Sequence, residues 1–337
     1  MILGLAALAL ATGYLYWSSR QPVLSGSESF VIRSGAGVKN VAVSLVNDKI
    51  LREPYTFTLW AYVKGDTARI HAGEYAIPAG TTVAGLLDLF VSGKVIERSI
   101  TLIEGWTFKQ CLEALHGAEK LRDATSGLSD AEIMQRLGLP DQSPEGRFFP
   151  DTYLYTADTS DLDVLGRAHA AMNKIIDQEW QNRDTAIVIR NEDQALILAS
   201  IIEKETAVPA ERAMISAVFQ NRLAKGMRLQ TDPTVIYGLG DKFNGNLTRK
   251  HLESDTPYNT YTRDGLPPTP IAMPGRASIH AAVHPVASQA LYFVAKGDGT
   301  HEFSDTLAEH NRAVAKYQLN GGHQGATKKR KSDVQSK

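Results

Sequence analysis

Two carboxylates stand two residues apart in an otherwise apolar stretch, DQALILASIIEKET, Asp193 to Thr206. The pattern predicts a helix from Asp193 to about Ala207, apolar on most faces and therefore buried, with Glu203 and Glu205 at its C-terminal end. Acidic side chains there oppose the helix dipole, and a buried charge is costly unless paired. A desolvated carboxylate facing a polar segment is suited to general acid work, because burial raises its proton affinity toward neutral pH. Glu203 is seven residues after Leu196 and four after Ala199, and Glu205 is seven after Leu198. Each shares an apolar face, so periodicity does not choose between them. The competing reading is structural, a glutamate paired with Arg212 or Lys204 at the helix end.

The neighbouring stretches predict what faces these acids. A second helix has Pro209 in its first turn and Gly226 at its end. Met227 to Gly240 reads as a loop rich in Gln, Thr, Asp, Pro and Tyr, the polar wall of a cleft. Other chemistries are poorly represented. His280 and His284 are four apart on an expected helix, but Ala-Ala-Val lies between them and Pro285 follows, without the Glu of a zinc protease, so no metal is expected. Phosphate loops, dinucleotide fingerprints and a Gly-x-Ser-x-Gly elbow are absent, and no cofactor is expected. Ser200 reads as a packing or hydrogen-bonding residue. The single cysteine, Cys111, excludes an intrachain disulfide and lies on the stripe Phe108, Cys111, Leu112, Leu115, so it reads as a buried thiol. A formal charge of −1 gives no electrostatic case for nucleic acid.

These residues need a scaffold. The 337 residues, 43% apolar and 22% charged, suffice for two domains with real cores. Ile2 to Trp17 is an uncharged apolar run of about 24 Å as a helix, somewhat short of the ~30 Å bilayer core, and its Tyr-Leu-Tyr-Trp end suits a membrane interface. It reads as a signal anchor whose start lacks a few upstream residues. A cleaved signal peptide, with Ala9 and Ala11 framing a cleavage site, is the main competitor. Either one places the remainder outside the cytoplasm. Gln21 to Ser29 reads as a linker.

From Ser29 to about Lys94 the pattern is a small α/β unit. Phe30-Val31-Ile32 is a strand, Val38, Val41, Ala42 and Leu45 mark a helix face, and Tyr55 to Val63 is a further helix. Gly73 to Ile77 is a strand. Thr82 caps a helix with the stripe Val83, Leu86, Leu87 and Phe90, ended by Gly93. Val95 to Leu102 is a strand, Ser129 to Glu132 a capping box, and Leu162 to Trp180 a long amphipathic helix. EGRFFPDTYLY, Glu145 to Tyr155, is either an aromatic sugar subsite or core filler around a proline turn. Thr256 to Gly275 is a long proline-rich loop. Ser278 to Val283 is a helix, Leu291 to Ala295 and His301 to Phe303 form a hairpin, and Asp305 to Leu319 is a closing helix.

Four segments carry a resemblance: ASIIEKET (Ala199 to Thr206), NRLAKGMRLQTDPTVIYGLG (Asn221 to Gly240), TPYNTYTRDGLPP (Thr256 to Pro268) and EGRFFPDTY (Glu145 to Tyr153). Together they closely resemble the MltG/YceG-like endolytic murein transglycosylases, from about Ser29 to Leu319. AGEYAIPAGTTVAGLLDLFVSGK resembles their LysM-like subdomain. The resemblance implies an α+β fold: an anchor at 1–20, a LysM-like α/β subdomain at 21–100, a mixed α+β catalytic domain at 101–320 and a disordered basic tail at 321–337. It implies cleavage of the β-1,4 bond between N-acetylmuramic acid and N-acetylglucosamine inside peptidoglycan strands, leaving 1,6-anhydro-muramyl ends and terminating strand growth. Glu203 matches the catalytic glutamate. Gln230, Asp232, Thr234, Tyr237, Tyr258 and Asn259 match the substrate-binding loops. The implied partners are glycan strands, the penicillin-binding synthases nearby, and the plasma membrane through the N-terminal helix. Two alternatives stand beside this: a membrane-anchored, non-catalytic peptidoglycan-binding scaffold, and a hydrolytic muramidase, which needs a second carboxylate near Glu203 with room for water, Asp232 being the one to examine.

Overall fold

The computed structural model of the chain describes residues 2–157 and 159–319, so the expected tail at 321–337 lies outside the described residues. The fold is mixed α+β, with helices predominating and three two-stranded sheets among the described residues. Contacts divide the chain into two units. One comprises Met1–Ile100, Leu115–Ser126 and Tyr153–Val164, and the other Thr101–Ala114, Gly127–Thr152 and the chain from Leu165 on.

The first unit opens with α1 (Ile2–Ser19). Its far end packs on the same unit through Leu15, which is buried, and Tyr16, whose ring lies 6.4 Å from Trp60. Leu5, Leu8, Leu10, Tyr14 and Trp17 remain exposed. Among the described residues no helix is long and apolar enough to cross a membrane. The expected linker behind α1 is structured instead: Pro22 bridges to Thr82, Val23 is buried, and β1 (Ser27–Ile32) already begins at Ser27. Backbone pairing, which the polar composition of this segment hides, is the reason.

β1 pairs antiparallel with β2 (Gly73–Ile77), with Phe30 opposite Tyr75. α2 (Val38–Asn47) and α3 (Tyr55–Lys64) lie between them in sequence, and α4 (Val83–Ser92) follows. The apolar spacing settles these helices: α2 buries Val38, Val41, Ala42 and Leu45, and α4 buries Val83, Leu86, Leu87 and Phe90. The Thr82 hydroxyl caps α4 by accepting the Gly85 N–H at 3.1 Å, and Gly93 stops it at φ +67°. Phe90 sits at the centre, with Tyr75 edge-on at 4.8 Å and Phe30 stacked at 5.7 Å. Glu74, within β2 and opposite Val31, is fully buried and is paired with Arg98 at 2.5 Å.

β3 (Arg98–Thr101), shorter than its apolar run, pairs with β4 (Thr152–Tyr155). Along the chain come α5 (Phe108–His116), α6 (Asp130–Arg136), which opens on the Ser129–Glu132 capping box, and α7 (Asp161–Gln181). The second unit is built around α8 (Glu192–Glu205), which packs on α9 (Arg212–Ala224), α10 (Asp232–Leu239) and α12 (Arg276–Val283). α11 (Arg249–Glu253) lies between the last two in sequence, and β5 (Tyr292–Ala295), β6 (His301–Ser304) and α13 (Leu307–Val314) complete the chain. Leu198, Ile201 and Ile202 meet Ile215, Phe219, Ile279 and Val283 in one core, where truncating a leucine or isoleucine to alanine costs about 2–5 kcal/mol.

One expectation changes here, and of two alternatives one is seen. The second half of the polar loop 227–240 is helical, because Pro233 suits the first turn and Val235 gives α10 a buried anchor. The aromatic run after Glu145 supplies core: Phe148 is buried and stacks on Phe108 at 5.2 Å, and Phe149 packs against the α8 cluster. Cys111 is buried as expected, and burial pushes its thiol up to about 12.

Candidate active site

The site begins with how α8 starts and stops. The Asn191 side chain accepts the Gln194 N–H at 2.8 Å, and Ala195 through Ile202 are all buried. With every face covered, side chains first reach polar surroundings at the last turn. There Thr206 ends the helix in an extended conformation, and its hydroxyl accepts the Val208 N–H at 3.0 Å. Residues two apart on a helix point about 200° apart, so Glu203 and Glu205 leave α8 on opposite sides.

On one side, Glu203 Oε2 accepts the Gly275 N–H at 2.9 Å, and Arg212 Nη2 lies 3.9 Å from Oε1. The Glu203 side chain is only 8% exposed. Gly275 and Arg212 are placed by the starts of α12 and α9. The turn Glu104-Gly105-Trp106 closes over the carboxylate. It is fastened by Gly105 N–H to Met273 O at 2.9 Å and Met273 N–H to Trp106 O at 2.7 Å. Lys204 Nζ adds a bond to Gly105 O at 3.1 Å. Gly105 has φ +78°, and a Cβ there would touch Glu203 Cγ at 3.8 Å. The Glu104 carboxyl lies against Gly275 so closely that a Cβ on Gly275 would overlap it. Burial and then the charge of Glu203 push Glu104 above the usual carboxylate range, while Arg212 pulls it back. Arg212 Nε is buried and has no hydrogen-bond partner among the described residues.

On the other side, Glu205 accepts a hydrogen bond from the Thr231 hydroxyl. Burial pushes its carboxyl up to about 7; the Thr231 bond opposes this and the charge of Asp232 adds to it. The six loop residues expected at the substrate organise around this second acid and around Glu145. Gln230 is exposed at φ +52°, with its N–H on Thr260 O at 3.1 Å and its Oε1 3.4 Å from Arg222 Nη1. Asp232 is exposed and accepts the Tyr261 hydroxyl at 2.6 Å. Thr234 is fully buried, its hydroxyl on Thr231 O at 2.8 Å. Asn259, also fully buried, donates to Leu252 O at 3.0 Å and Ser254 O at 2.7 Å. Tyr237 and Tyr258 meet edge-on at 4.8 Å. Tyr258 bonds Thr269 at 2.8 Å, and Tyr237 donates to Glu145 at 3.0 Å.

Glu145 is a buried acid that sequence reasoning passed over, although it heads the EGRFFPDTY segment. It accepts the Phe108 N–H at 3.0 Å, and burial pushes it up to about 7. Glu104 and Gly275 were missed as well. The second carboxylate beside Glu203 is Glu104, whereas Asp232 neighbours Glu205.

Residues 30–316 match the YceG-like family. The chain belongs to that family. It is 33% identical to the endolytic murein transglycosylase of Bacillus subtilis (strain 168), over 92% of this chain and 91% of that protein. It is 27% identical to the endolytic murein transglycosylase of Streptococcus pneumoniae serotype 2, over 92% of this chain but only 63% of that longer protein. A crystal structure of a YceG-like protein from Listeria monocytogenes superposes with a TM-score of 0.54 at 30% identity, covering 85% of this chain and 98% of that one.

In this YceG-like chain the two histidines of α12 and its end acquire a carboxylate neighbour. Glu179, His280 and His284 place ligand-type atoms within 4.8 Å of one another. Glu179 is taken up by His280 Nδ1 at 2.8 Å and Arg276 at 3.3 Å, and His284 Nε2 by Asn182 O at 2.7 Å.

Proposed function

We propose that this chain cuts peptidoglycan strands internally, as an endolytic murein transglycosylase acting on the β-1,4 bond between N-acetylmuramic acid and N-acetylglucosamine. The observation that carries the reading is one helix-borne carboxylate, Glu203, seated between the Gly275 N–H and Arg212 in a member of the YceG-like family. The lytic reaction needs a single acid/base. Protonated Glu203 gives its proton to the glycosidic oxygen as the bond from C1 breaks and the N-acetylglucosamine 4-hydroxyl departs. An oxocarbenium-like centre develops at C1. The Glu203 carboxylate, supported by the Gly275 N–H and the Arg212 charge, then takes the proton of the muramic acid's own 6-hydroxyl. O6 bonds to C1, a 1,6-anhydro end forms, no water is consumed, and Glu203 regains its proton.

In this reading the strand passes Glu203 and bends round the end of α8 to Gln230 and Asp232, exposed on the segment that Thr231 ties to Glu205, with Tyr237 and Tyr258 beside them. Thr234 and Asn259, whose polar atoms are spent internally, hold that segment's shape. The exposed apolar side of α1, with its terminal Tyr14 and Trp17, attaches the chain to the plasma membrane, leaving the remainder on the extracytoplasmic side next to the glycan polymerases. Residues 21–100 act as a LysM-like glycan-binding or spacing unit, and 101–320 as the catalytic domain. The test is mass spectrometry of purified peptidoglycan digested by the protein. Anhydro-muramyl ends are expected. Reducing ends identify a hydrolase, and binding without products identifies a scaffold.

A further inference from the structure

Two helix ends bring an acid to a pair of histidines. His280 and His284 lie four residues apart, in the last turn of α12 and just past it, and their rings stack at 4.1 Å. The carboxylate that the sequence lacks between them comes from the end of α7. Glu179, 101 residues from His280, is buried and holds Oε2 2.8 Å from His280 Nδ1. One ligand-type atom from each of the three lies within 4.8 Å of the others. The groups around them orient the set. Arg276 Nη1 takes the other oxygen of Glu179, Oε1, at 3.3 Å, and Arg276 Nη2 donates to Gln178 Oε1 at 2.8 Å. His284 Nε2 faces Asn182 O at 2.7 Å; a carbonyl only accepts, so Nε2 bears the hydrogen and Nδ1 of the neutral ring keeps its lone pair. That nitrogen faces another acceptor, His280 O, at 3.2 Å. The other such group among the described residues, His116, Asp123 and Asp161, differs: Asp161 spends both oxygens, accepting the N–H of Ala124 at 3.0 Å, Leu162 at 2.8 Å and Thr125 at 3.1 Å.

We propose that Glu179, His280 and His284 form a binding site for a divalent transition-metal ion, zinc first, apart from the Glu203 carboxylate. Two imidazoles and one carboxylate suit zinc, copper or nickel; calcium and magnesium need more oxygens. A tetrahedral zinc holds its ligand atoms about 3.3 Å apart, so atoms within 4.8 Å of one another close on it by about 1.5 Å or less. A rotation of His280, whose side chain is 58% exposed, covers that distance. The ligands are Glu179 Oε2, His280 Nδ1 and His284 Nδ1, with water in the fourth position. His280 gives up its Nδ1 hydrogen and takes one at Nε2, so the ring stays neutral. Arg276 and Asn182 are the outer partners that metal-bound carboxylates and imidazoles generally have. The ion ties the end of α7 to the end of α12, the helix at whose start Gly275 gives its N–H to Glu203. The inference does not depend on the reaction assigned to Glu203.

The test is calorimetric titration of Zn²⁺ into the chelator-treated full chain, beside His280→Ala, His284→Ala, Glu179→Gln and, as a control, His116→Ala. One tight site is expected in wild type and in His116→Ala. The other three variants, checked for folding by circular dichroism, should bind at least about tenfold more weakly, the scale of losing one ligand. Zinc should also raise the thermal midpoint of wild type by a few degrees and leave that of His280→Ala in place. Visible absorption of wild type loaded with Co²⁺ should show the intense bands of a four-coordinate ion, a reading that needs no variant. No tight site in wild type, equal affinity in folded His280→Ala, equal affinity for Ca²⁺, or the weak bands of six-coordinate Co²⁺ would each overturn the assignment. None of these readouts uses peptidoglycan, so failure of the strand-cutting reading leaves them untouched.

Discussion

On one side of the end of α8 a carboxylate meets a backbone N–H and a guanidinium; on the other, two residues later, a carboxylate meets a threonine hydroxyl and a nearby aspartate. Glu203 therefore stands where its carboxylate has a donor and a nearby cation. Glu205 stands where only the neutral form is comfortable, and its proton is kept up to about pH 7. A group that must give a proton away and take one back needs the first setting. A group that must hold a loop needs only the second: through Thr231, Glu205 fastens the start of α10 to the end of α8. Desolvation alone, the usual mark of a general acid, points to Glu205, whereas the proposed acid is Glu203.

The largest effect expected from this contrast is on turnover. Glu203→Gln should lower the rate of anhydro product release by about 10³-fold or more, the scale of lost general acid–base catalysis, with its thermal midpoint close to wild type. The same loss from Glu205→Gln would break the comparison.

The next effect is on stability, and its sign follows from proton binding. Glu205 is raised from 4.5 to about 7 in the fold, so between those pH values the unfolded chain holds fewer protons than the native one. Its contribution is full below pH 4.5 and declines as pH rises to about 7. Glu205→Gln should remove that decline and leave the variant roughly 2 kcal/mol better placed at pH 8 than at pH 5, relative to wild type, in denaturant titrations. Glu145 is raised to about 7 as well and should add a slope of the same sign, which Glu145→Gln would flatten.

A smaller loss tests the Glu203 side through its neighbour. A methyl at Gly275 would overlap the Glu104 carboxyl, so Gly275→Ala should reduce kcat about tenfold, or about 1.4 kcal/mol, while the pH dependence of stability set by Glu205 is kept. The smallest effect is expected from Tyr237→Phe. It removes one hydrogen bond to Glu145 and should cost about 1 kcal/mol of stability, read from the denaturation midpoint, with turnover within about threefold of wild type.

Local pattern carried the first unit well. The buried faces of α2 and α4, the Thr82 cap and the Gly93 stop follow from spacing and side-chain chemistry within ten residues. The Glu203 surroundings are of another kind. Gly275 bonds Glu203 from 72 residues away and Gly105 bonds Lys204 from 99, and no periodicity spans such distances. Resemblance pointed to Glu203, but what holds it became visible only when the turn at Glu104 and the start of α12 closed on it. The helix α10 was hidden for a simpler reason: its threonine, proline and glycine read as loop, and the burial of Thr234 and Val235 against the rest of the unit overrides that propensity. Thr234 and Asn259 carry the same lesson, since a polar residue in a matching segment is as often the frame of a site as its surface.

One digest tests the central claim most directly. Purified peptidoglycan is incubated with wild type, Glu203→Gln and Glu205→Gln, and the strand ends are read by mass spectrometry. The account predicts anhydro-muramyl ends from wild type and Glu205→Gln and none from Glu203→Gln. Anhydro ends from Glu203→Gln, or their loss in Glu205→Gln alone, would contradict it.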